Sequence, residues 1–345
     1  MTPRITPRGP VSEALLEALQ TDPSAAADQV GVFADRTAHA LEAQPDLLTD
    51  EDLQLTLFVL YGLHYGDTVD ADDEWEWHPE LLRTRRTIER EFERQLRERV
   101  PVGELPEPTA DAVAAYLFDL TAEDGGPSLS RFLAKKATEE QAREFVIHRS
   151  IYTRKEADPH SWAIPRLTGR AKAALVEVQS DEYGGGRPER IHAEIFGRTM
   201  RNLGLDDSYG AYLDNVPAAT LASFTMMSMF GLNRSLRGAI TGHLAAFEMT
   251  SSIPNRFYGN GFRRLGHGED VTWYYDEHVE ADAVHEQIAG RDLAGGLAEQ
   301  HPELLPDIVF GAAACLYVDG LAGQHLLESF EAGRSSLRAP VAVPA

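Results

Sequence analysis

Residues 273–286 read Trp-Tyr-Tyr-Asp-Glu-His-Val-Glu-Ala-Asp-Ala-Val-His-Glu, and they carry the strongest local signal in the chain. His278, Asp282 and His285 are spaced so that an α-helix, which turns ~100° per residue, places all three on one face. Two imidazoles and a carboxylate on one face are ligands that suit iron. The spacing also describes one face of an ordinary solvated acidic helix, so the stretch alone leaves both interpretations open.

A second signal lies upstream, where Glu182 and His192 flank three consecutive glycines, 184–186. On one unbroken helix the two side chains would point in different directions. A glycine break, followed by Pro188 as a helix starter, re-phases the second helix and brings His192 back beside Glu182. The alternative is a plain helix–turn–helix with a glycine cap. A phosphate-binding loop is excluded because no strand precedes the glycines and no Lys-Ser/Thr follows them.

The third signal is Glu248, which lies in an apolar helix with few charges. Carboxylates are seldom buried unless they are paired or bound to a metal, so an inward-facing Glu248 is a ligand candidate. His243 precedes it by five residues and therefore lies on a different face of that helix. We expect His243 to pack or to support a ligand.

Glu156 is a fourth candidate, at the start of a proline-marked, irregular segment, 156–168. Irregular backbone near a site often hosts a functional side chain. A surface salt bridge with Arg154 or Lys155 is the equally good alternative.

Apolar positions recur at three- and four-residue spacing along most of the chain, which indicates helices and no sheet. A block of helices ends near the prolines at 101–109. We expect a helical N-terminal region over 1–105, a helical domain over 106–335 and a loose tail over 336–345. The predicted helices cover 12–20, 25–43, 51–66, 79–99, 109–121, 129–135, 138–152, 169–183, 187–203, 217–231, 234–251, 269–289 and 302–331.

The composition of the 345 residues limits the classes of partner. There are 32 Lys and Arg against 55 Asp and Glu, giving a net charge of −23, which repels nucleic acid and anionic membranes. Cys315 is the one cysteine, in an apolar run, so it excludes disulfides and a thiolate metal site and indicates a core residue. We find neither a signal peptide nor an apolar stretch near the ~20 residues of a membrane span, and we expect a cytoplasmic protein.

Together these residues resemble the haem-oxygenase-like diiron oxidase superfamily, also called iron-containing redox enzymes. That family places a Glu and a His on one helical segment, a Glu on a later helix and a His-x-x-x-Asp-x-x-His run on a last one. The N-oxygenases of the streptozotocin-pathway type carry an extra Glu upstream. The resemblance covers about residues 140–290, and its matching positions are Glu156 as the extra Glu, then Glu182, His192, Glu248, His278, Asp282 and His285.

The resemblance implies an all-α, haem-oxygenase-like bundle that binds two non-haem iron ions, uses O₂ as co-substrate and takes electrons from an external reductant. Glu248, alone on its helix, suits the bridging position, and no catalytic residue beyond the ligands is implied. The implied reaction is N-oxygenation of a small amine- or amino-acid-like metabolite. The alternatives are desaturation or C–C fragmentation of an amino acid or fatty acid, and a non-catalytic metal- or ligand-binding protein. Residues 1–105 would pack on the core or form a homodimer contact.

Overall fold

The computed structural model describes residues 5–66, 68–122 and 128–341, without the side chains of 280–283. None of these residues is in a β-strand, which confirms the all-α prediction. The helices, in chain order, are α1 (Pro10–Leu19), α2 (Ala27–Glu42), α3 (Glu51–Gly62), α4 (Pro79–Arg99), α5 (Ala110–Thr121), α6 (Leu129–Lys135), α7 (Glu139–Thr153), α8 (Asp158–Ser161), α9 (Gly169–Glu182), α10 (His192–Asn202), α11 (Ala218–Leu232), α12 (Arg237–Met249), α13 (Ser252–Arg264), α14 (Glu269–Gln287), α15 (Gly296–Gln300) and α16 (Leu305–Glu331).

Helix starts follow from short polar side chains that accept the unpaired N–H groups of the first turn. Asp50 accepts from Leu53 N–H at the start of α3. Thr138 and Gln141 form a reciprocal capping box at the start of α7, which leads toward the Glu156 turn. These caps fix where the helices begin.

The chain forms two compact units. The first contains α1 to α4, residues 208–229 and the segment from 337 onward. Its core is aromatic, with Phe58 and Phe224 ring centroids 5.6 Å apart. Arg338 donates its backbone N–H to the carbonyl of Asn215 at 2.7 Å. The predicted division at 105 and 335 stays a prediction.

The second unit, residues 100–207 and 230–336, contains every candidate ligand. Its central feature is the close crossing of α12 and α16. A Cβ on Gly242 would run into the carbonyl oxygen of Ile308, and one on Gly311 would run into that of Ala239. The backbones therefore touch at two glycines, and α12 is held so that Glu248, nearly two turns further along, is buried.

Three details differ from the sequence-based expectations. The sequence analysis did not predict helix α13, because Pro254 and two glycines suggest a loop. Pro254 lies in the first turn of this helix, where the backbone N–H that proline lacks has no helical partner. Gly261 lies close to the carbonyl of Leu133. Pro188 starts a short 3₁₀ turn, and α10 begins at His192. The chain continues from α14 into a π-helix at Ile288–Gly295.

Residues Pro302–Glu331 form one helical stretch that is long and apolar enough to cross a membrane, with a mean hydropathy of 1.6 over its most apolar window. The sequence analysis expected no such stretch. Of that window, 56% is buried inside the protein, so packing of α16 accounts for much of its apolar character. Cys315 lies in this helix, and burial raises the pKa of its thiol well above the ordinary value, as befits a core residue.

We predict that Gly242→Ala lowers the free energy of unfolding by about 1–3 kcal/mol, because the added methyl group forces α12 away from α16. Gly320→Ala on α16 is the control, since its Cβ would meet nothing within 4 Å. There the gain in helix propensity stabilises by about 0.5–1 kcal/mol. Urea denaturation of both variants measures the difference, and equal stabilities would contradict a close α12–α16 contact.

Candidate metal centre

The candidate ligands come from four helices and one turn of the second unit. Glu182 ends α9 and His192 begins α10, Glu248 lies near the end of α12, and α14 carries both His278 and His285. Glu156 lies in the turn 154–157 between α7 and α8. These six side chains are all buried, with exposed fractions from 2% to 7%.

The turn at Gly184–Gly186 brings Glu182 and His192 together. All three glycines have positive φ (68°, 58° and 79°), a backbone region that other residues avoid. A Cβ on Gly184 would also meet the backbone of Arg190, so the chain reverses tightly. As a result His192 Nδ1 lies 3.1 Å from Glu182 Oε2. The expected re-phasing therefore occurs, although the helix starts later than predicted.

Two groups of potential ligand atoms form around this pair. The first contains Glu156, Glu182, His192 and His278, and the second contains Glu182, Glu248 and His285. Within each group the ligand atoms lie within 4.8 Å of one another. Glu182 belongs to both groups, whereas the sequence analysis expected Glu248 in the shared position.

Contacts within the groups are between imidazoles and carboxylates. His278 Nε2 is 3.8 Å from Glu156 Oε1, and His285 Nδ1 is 3.4 Å from Glu248 Oε2. The His192 and His278 rings lie close together, with centroids 4.4 Å apart and a tilt of 52° between the ring planes. His285 Nε2 also meets Asp181 Oδ2 at 3.0 Å, so Asp181 orients that imidazole from outside the group.

Asp282 was predicted as the third ligand of the His278–His285 face. Its backbone is part of α14, but its side chain lies outside the described residues. Its role as a ligand stays a prediction.

The surroundings of Glu156 decide between its two interpretations. Tyr274 donates its hydroxyl to the carboxylate, 2.9 Å from Oε2 and 3.2 Å from Oε1. Lys155 pairs instead with Asp158 at 3.6 Å, and Arg154 binds Glu194 at 3.3 Å. The surface salt bridge is therefore not formed, and Glu156 points into the protein beside His278.

Hydrogen bonds fix the tautomers of the neighbouring histidines. A carbonyl oxygen only accepts, so His278 donates from Nδ1 to Tyr274 O at 2.7 Å and presents the lone pair of Nε2 to the carboxylates. His160 likewise donates from Nδ1 to Glu156 O at 3.0 Å, and its Nε2 lies 3.1 Å from His243 Nδ1. His243 thus supports the Glu156 turn through His160, consistent with the expected packing or supporting role.

Burial and mutual charge set the protonation of the group. Burial raises the pKa of Glu156 well above its ordinary value, and the charge of Glu182 adds to the rise. Burial also raises the pKa of Glu248. For Glu182 burial would raise the pKa, but the charge of His192 and its hydrogen bond to the carboxylate outweigh burial, so the pKa of Glu182 is lowered. Burial lowers the pKa of His278 to about 3, which keeps its Nε2 free of a proton at neutral pH.

These residues fit a bound metal ion. Glu156, Glu182 and Glu248 are buried close together, and buried carboxylates are costly unless a cation is near. Imidazole with carboxylate is a donor set that suits iron. Three carboxylates and three imidazoles give enough ligands for two ions that share Glu182.

A narrow cavity opens beside the two groups, and its free volume of about 10 Å³ is roughly that of one water molecule. Glu156, Glu182, Glu248 and His278 form one part of its wall. Leu244 and Phe247 add apolar surface, and Ala157, His160, Gln179 and Ser251 complete the lining. A molecule larger than water would have to displace these walls in order to lie against the candidate ligands.

Sequence patterns did not identify Gln179 or His160 as site residues. Gln179 precedes Glu182 by three residues on α9, and this spacing places both on one helix face. This spacing from Glu182 is the sequence signal that could have identified Gln179 as a site residue. His160 has no comparable signal, because its contacts with Glu156 and His243 arise from the turn and from α12.

Comparisons with known proteins identify the family of this chain. A family model described as an iron-containing redox enzyme matches residues 143–320, a range that includes every candidate ligand. Nitrosourea synthase from Streptomyces achromogenes subsp. streptozoticus is 26% identical over 208 residues, 59% of this chain and 44% of that protein. The chain therefore spans less than half the length of this curated relative.

A solved structure shows the same fold. The crystal structure of a CADD-like protein of unknown function from Nostoc punctiforme PCC 73102 superposes with a TM-score of 0.50 at 14% identity. The match covers 68% of this chain and 99% of that one.

We predict that Glu182→Gln weakens Fe(II) binding by at least about tenfold at both positions, because the substitution removes the shared negative charge. Glu177→Gln on the exposed side of α9 is the matched control and should bind as the wild type does. Anaerobic Fe(II) titration followed by calorimetry measures both affinities. If Glu182→Gln lost Fe(II) binding at one iron position and kept wild-type affinity at the other, Glu182 would not be shared between the two positions.

Proposed function

Because this chain belongs to the iron-containing redox enzyme family, we propose that it is a non-haem diiron oxygenase that transfers oxygen to the nitrogen of a small amine- or amino-acid-like metabolite. The observation that carries the proposal is the pair of buried His/carboxylate groups with Glu182 in common. A single ion would leave part of this ligand set buried and unpaired.

In the proposed enzyme the candidate ligands fall into two sets, one for each iron ion. Glu156, Glu182, His192 and His278 would hold one ion, and Glu182, Glu248 and His285 would hold the other, with Asp282 proposed as a further ligand on α14. When bound, iron supplies the redox chemistry that activates O₂. His278 and His285 are held in orientation by the Tyr274 carbonyl and by Asp181, so their ring nitrogens stay in position as the site turns over.

The balance of the reaction defines what else the enzyme needs. One oxygen atom of O₂ goes to the substrate nitrogen, and the other leaves as water after taking up two electrons and two protons. An external reductant supplies the electrons. The apolar walls at Leu244 and Phe247 limit access of bulk water to the cavity.

Glu156 supports N-oxygenation over desaturation or C–C fragmentation. It supplies a carboxylate beyond Glu182 and Glu248, and Tyr274 holds it inside the protein. The resemblance to N-oxygenases rests on this extra Glu, and the relative named nitrosourea synthase is consistent with nitrogen chemistry.

We predict that the Fe(II)-loaded protein consumes O₂ and converts a primary amine into a product heavier by one oxygen atom, with the label of ¹⁸O₂ in that product. Glu156→Ala should retain iron but lose most N-oxygenation, because the additional carboxylate is gone. Oxygen-electrode traces and mass spectrometry give the two readouts. Glu140→Ala, which removes an exposed carboxylate from α7, is the control and should behave as the wild type does.

Each failure has a distinct meaning. Two bound irons without O₂ consumption would leave a non-catalytic metal-binding protein. O₂ consumption with loss of hydrogen or carbon from the substrate would replace N-oxygenation by desaturation or fragmentation. Zero or one bound iron would refute the dinuclear site.

A further inference from the structure

Gln179 is buried beside the candidate ligands and lines the cavity with them. Its amide nitrogen is fully used: Nε2 donates to the carbonyl of Ala157 at 2.7 Å and contacts Ser161 Oγ at 2.6 Å. Its amide oxygen is buried and accepts no hydrogen bond from the residues that the structure describes. The side chain is 2% exposed, so bulk water does not satisfy that oxygen.

The orientation of this amide follows from its partners. A backbone carbonyl has no hydrogen to donate, so only the NH₂ end of Gln179 can face Ala157. The reversed amide would set two acceptor oxygens against each other. The oxygen is therefore the polar atom that Gln179 has left for a ligand, and an unpaired buried acceptor is costly without one.

The chemistry of the cavity wall restricts the ligand. The ten described residues that line it include neither Lys nor Arg, so the wall offers no basic Lys or Arg side chain to pair with a substrate carboxylate. The three glutamates are acceptors committed to the ligand groups. Gln179 is thus an acceptor available to a donor group of a bound molecule.

We propose that Gln179 is a specificity-determining residue that accepts a hydrogen bond from a substrate N–H and selects amines over molecules of the same shape without a donor. This inference rests on the proposed oxygenase function, for which it names the contact that recognises nitrogen. A fatty acid, which would bring a carboxylate to this wall, does not fit the contact.

The test compares two small probes of five heavy atoms each, n-butylamine and 1-methoxypropane. The ether oxygen accepts hydrogen bonds but donates none. Calorimetry on the anaerobic Fe(II)-loaded protein gives the Kd of each probe. Gln179→Met, which keeps the length and removes the acceptor, should raise the Kd of the amine by about tenfold and leave that of the ether within about twofold.

Controls separate recognition from structural damage. Ser161→Ala removes a partner of the Gln179 nitrogen and leaves the oxygen, so it should preserve discrimination between amine and ether. Gln179→Glu keeps an acceptor and should retain more amine affinity than Gln179→Met. Iron content and melting temperature confirm that each variant is folded and loaded.

The outcomes distinguish this inference from the proposed function. Equal weakening of both probes in Gln179→Met, or no binding of the amine to the wild type, would overturn the role of Gln179. Oxidation of amines by Gln179→Met at the wild-type KM would overturn it too, while the oxygenase function stood. Selective amine binding without oxidation would support Gln179 and refute the oxygenase.

Discussion

The second unit buries three carboxylates close together, and the cost of removing them from water is the constraint on which the rest of this unit depends. Glu156, Glu182 and Glu248 are each at least nine-tenths covered, and the ion pairs recorded for them are with histidines. Removing carboxylates from water costs several kcal/mol each unless charge of the opposite sign is near. His285, whose pKa the contact with Glu248 raises to about 9 despite burial, supplies part of that charge, and a bound cation would supply the rest. The cluster is therefore costly as plain packing and understandable as a ligand set.

The surrounding helices hold the candidate ligands close together, although these residues are far apart in the sequence. The glycine turn places the end of α9 against the start of α10, and the glycine contacts between α12 and α16 hold Glu248 opposite α14. The histidine pair His160–His243 ties the Glu156 turn to α12. These three contacts are made by backbone atoms or hydrogen bonds that lie outside the ligand atoms. Together they keep the six candidate ligand side chains close to one another.

Local patterns predicted what depends on local geometry. His278 and His285 share a face because helical periodicity requires it, and Glu182 approaches His192 because three glycines permit a tight reversal. Helix α13 escaped prediction because its proline and glycines favour a loop unless the neighbouring Leu133 carbonyl is known. The shared position of Glu182 depends on ligand atoms that other elements bring beside it, such as those of Glu156 and His285. The amide orientation of Gln179 depends on Ala157, which lies 22 residues away in the sequence. No periodicity encodes either contact. Asp282 was predicted as a third ligand on α14 from the same helical spacing as His278, and its role as a ligand stays a prediction.

The crossing of α12 and α16 also has a consequence for protein engineering. Because backbone meets backbone at Gly242 and Gly311, neither position accepts a side chain, and α12 cannot slide to make room for a larger ligand. New room in the cavity must come from trimming its movable walls at Leu244 and Phe247. Libraries aimed at bulkier molecules should therefore randomise those two positions and leave both glycines unchanged, so that the scaffold and the selectivity can be altered independently.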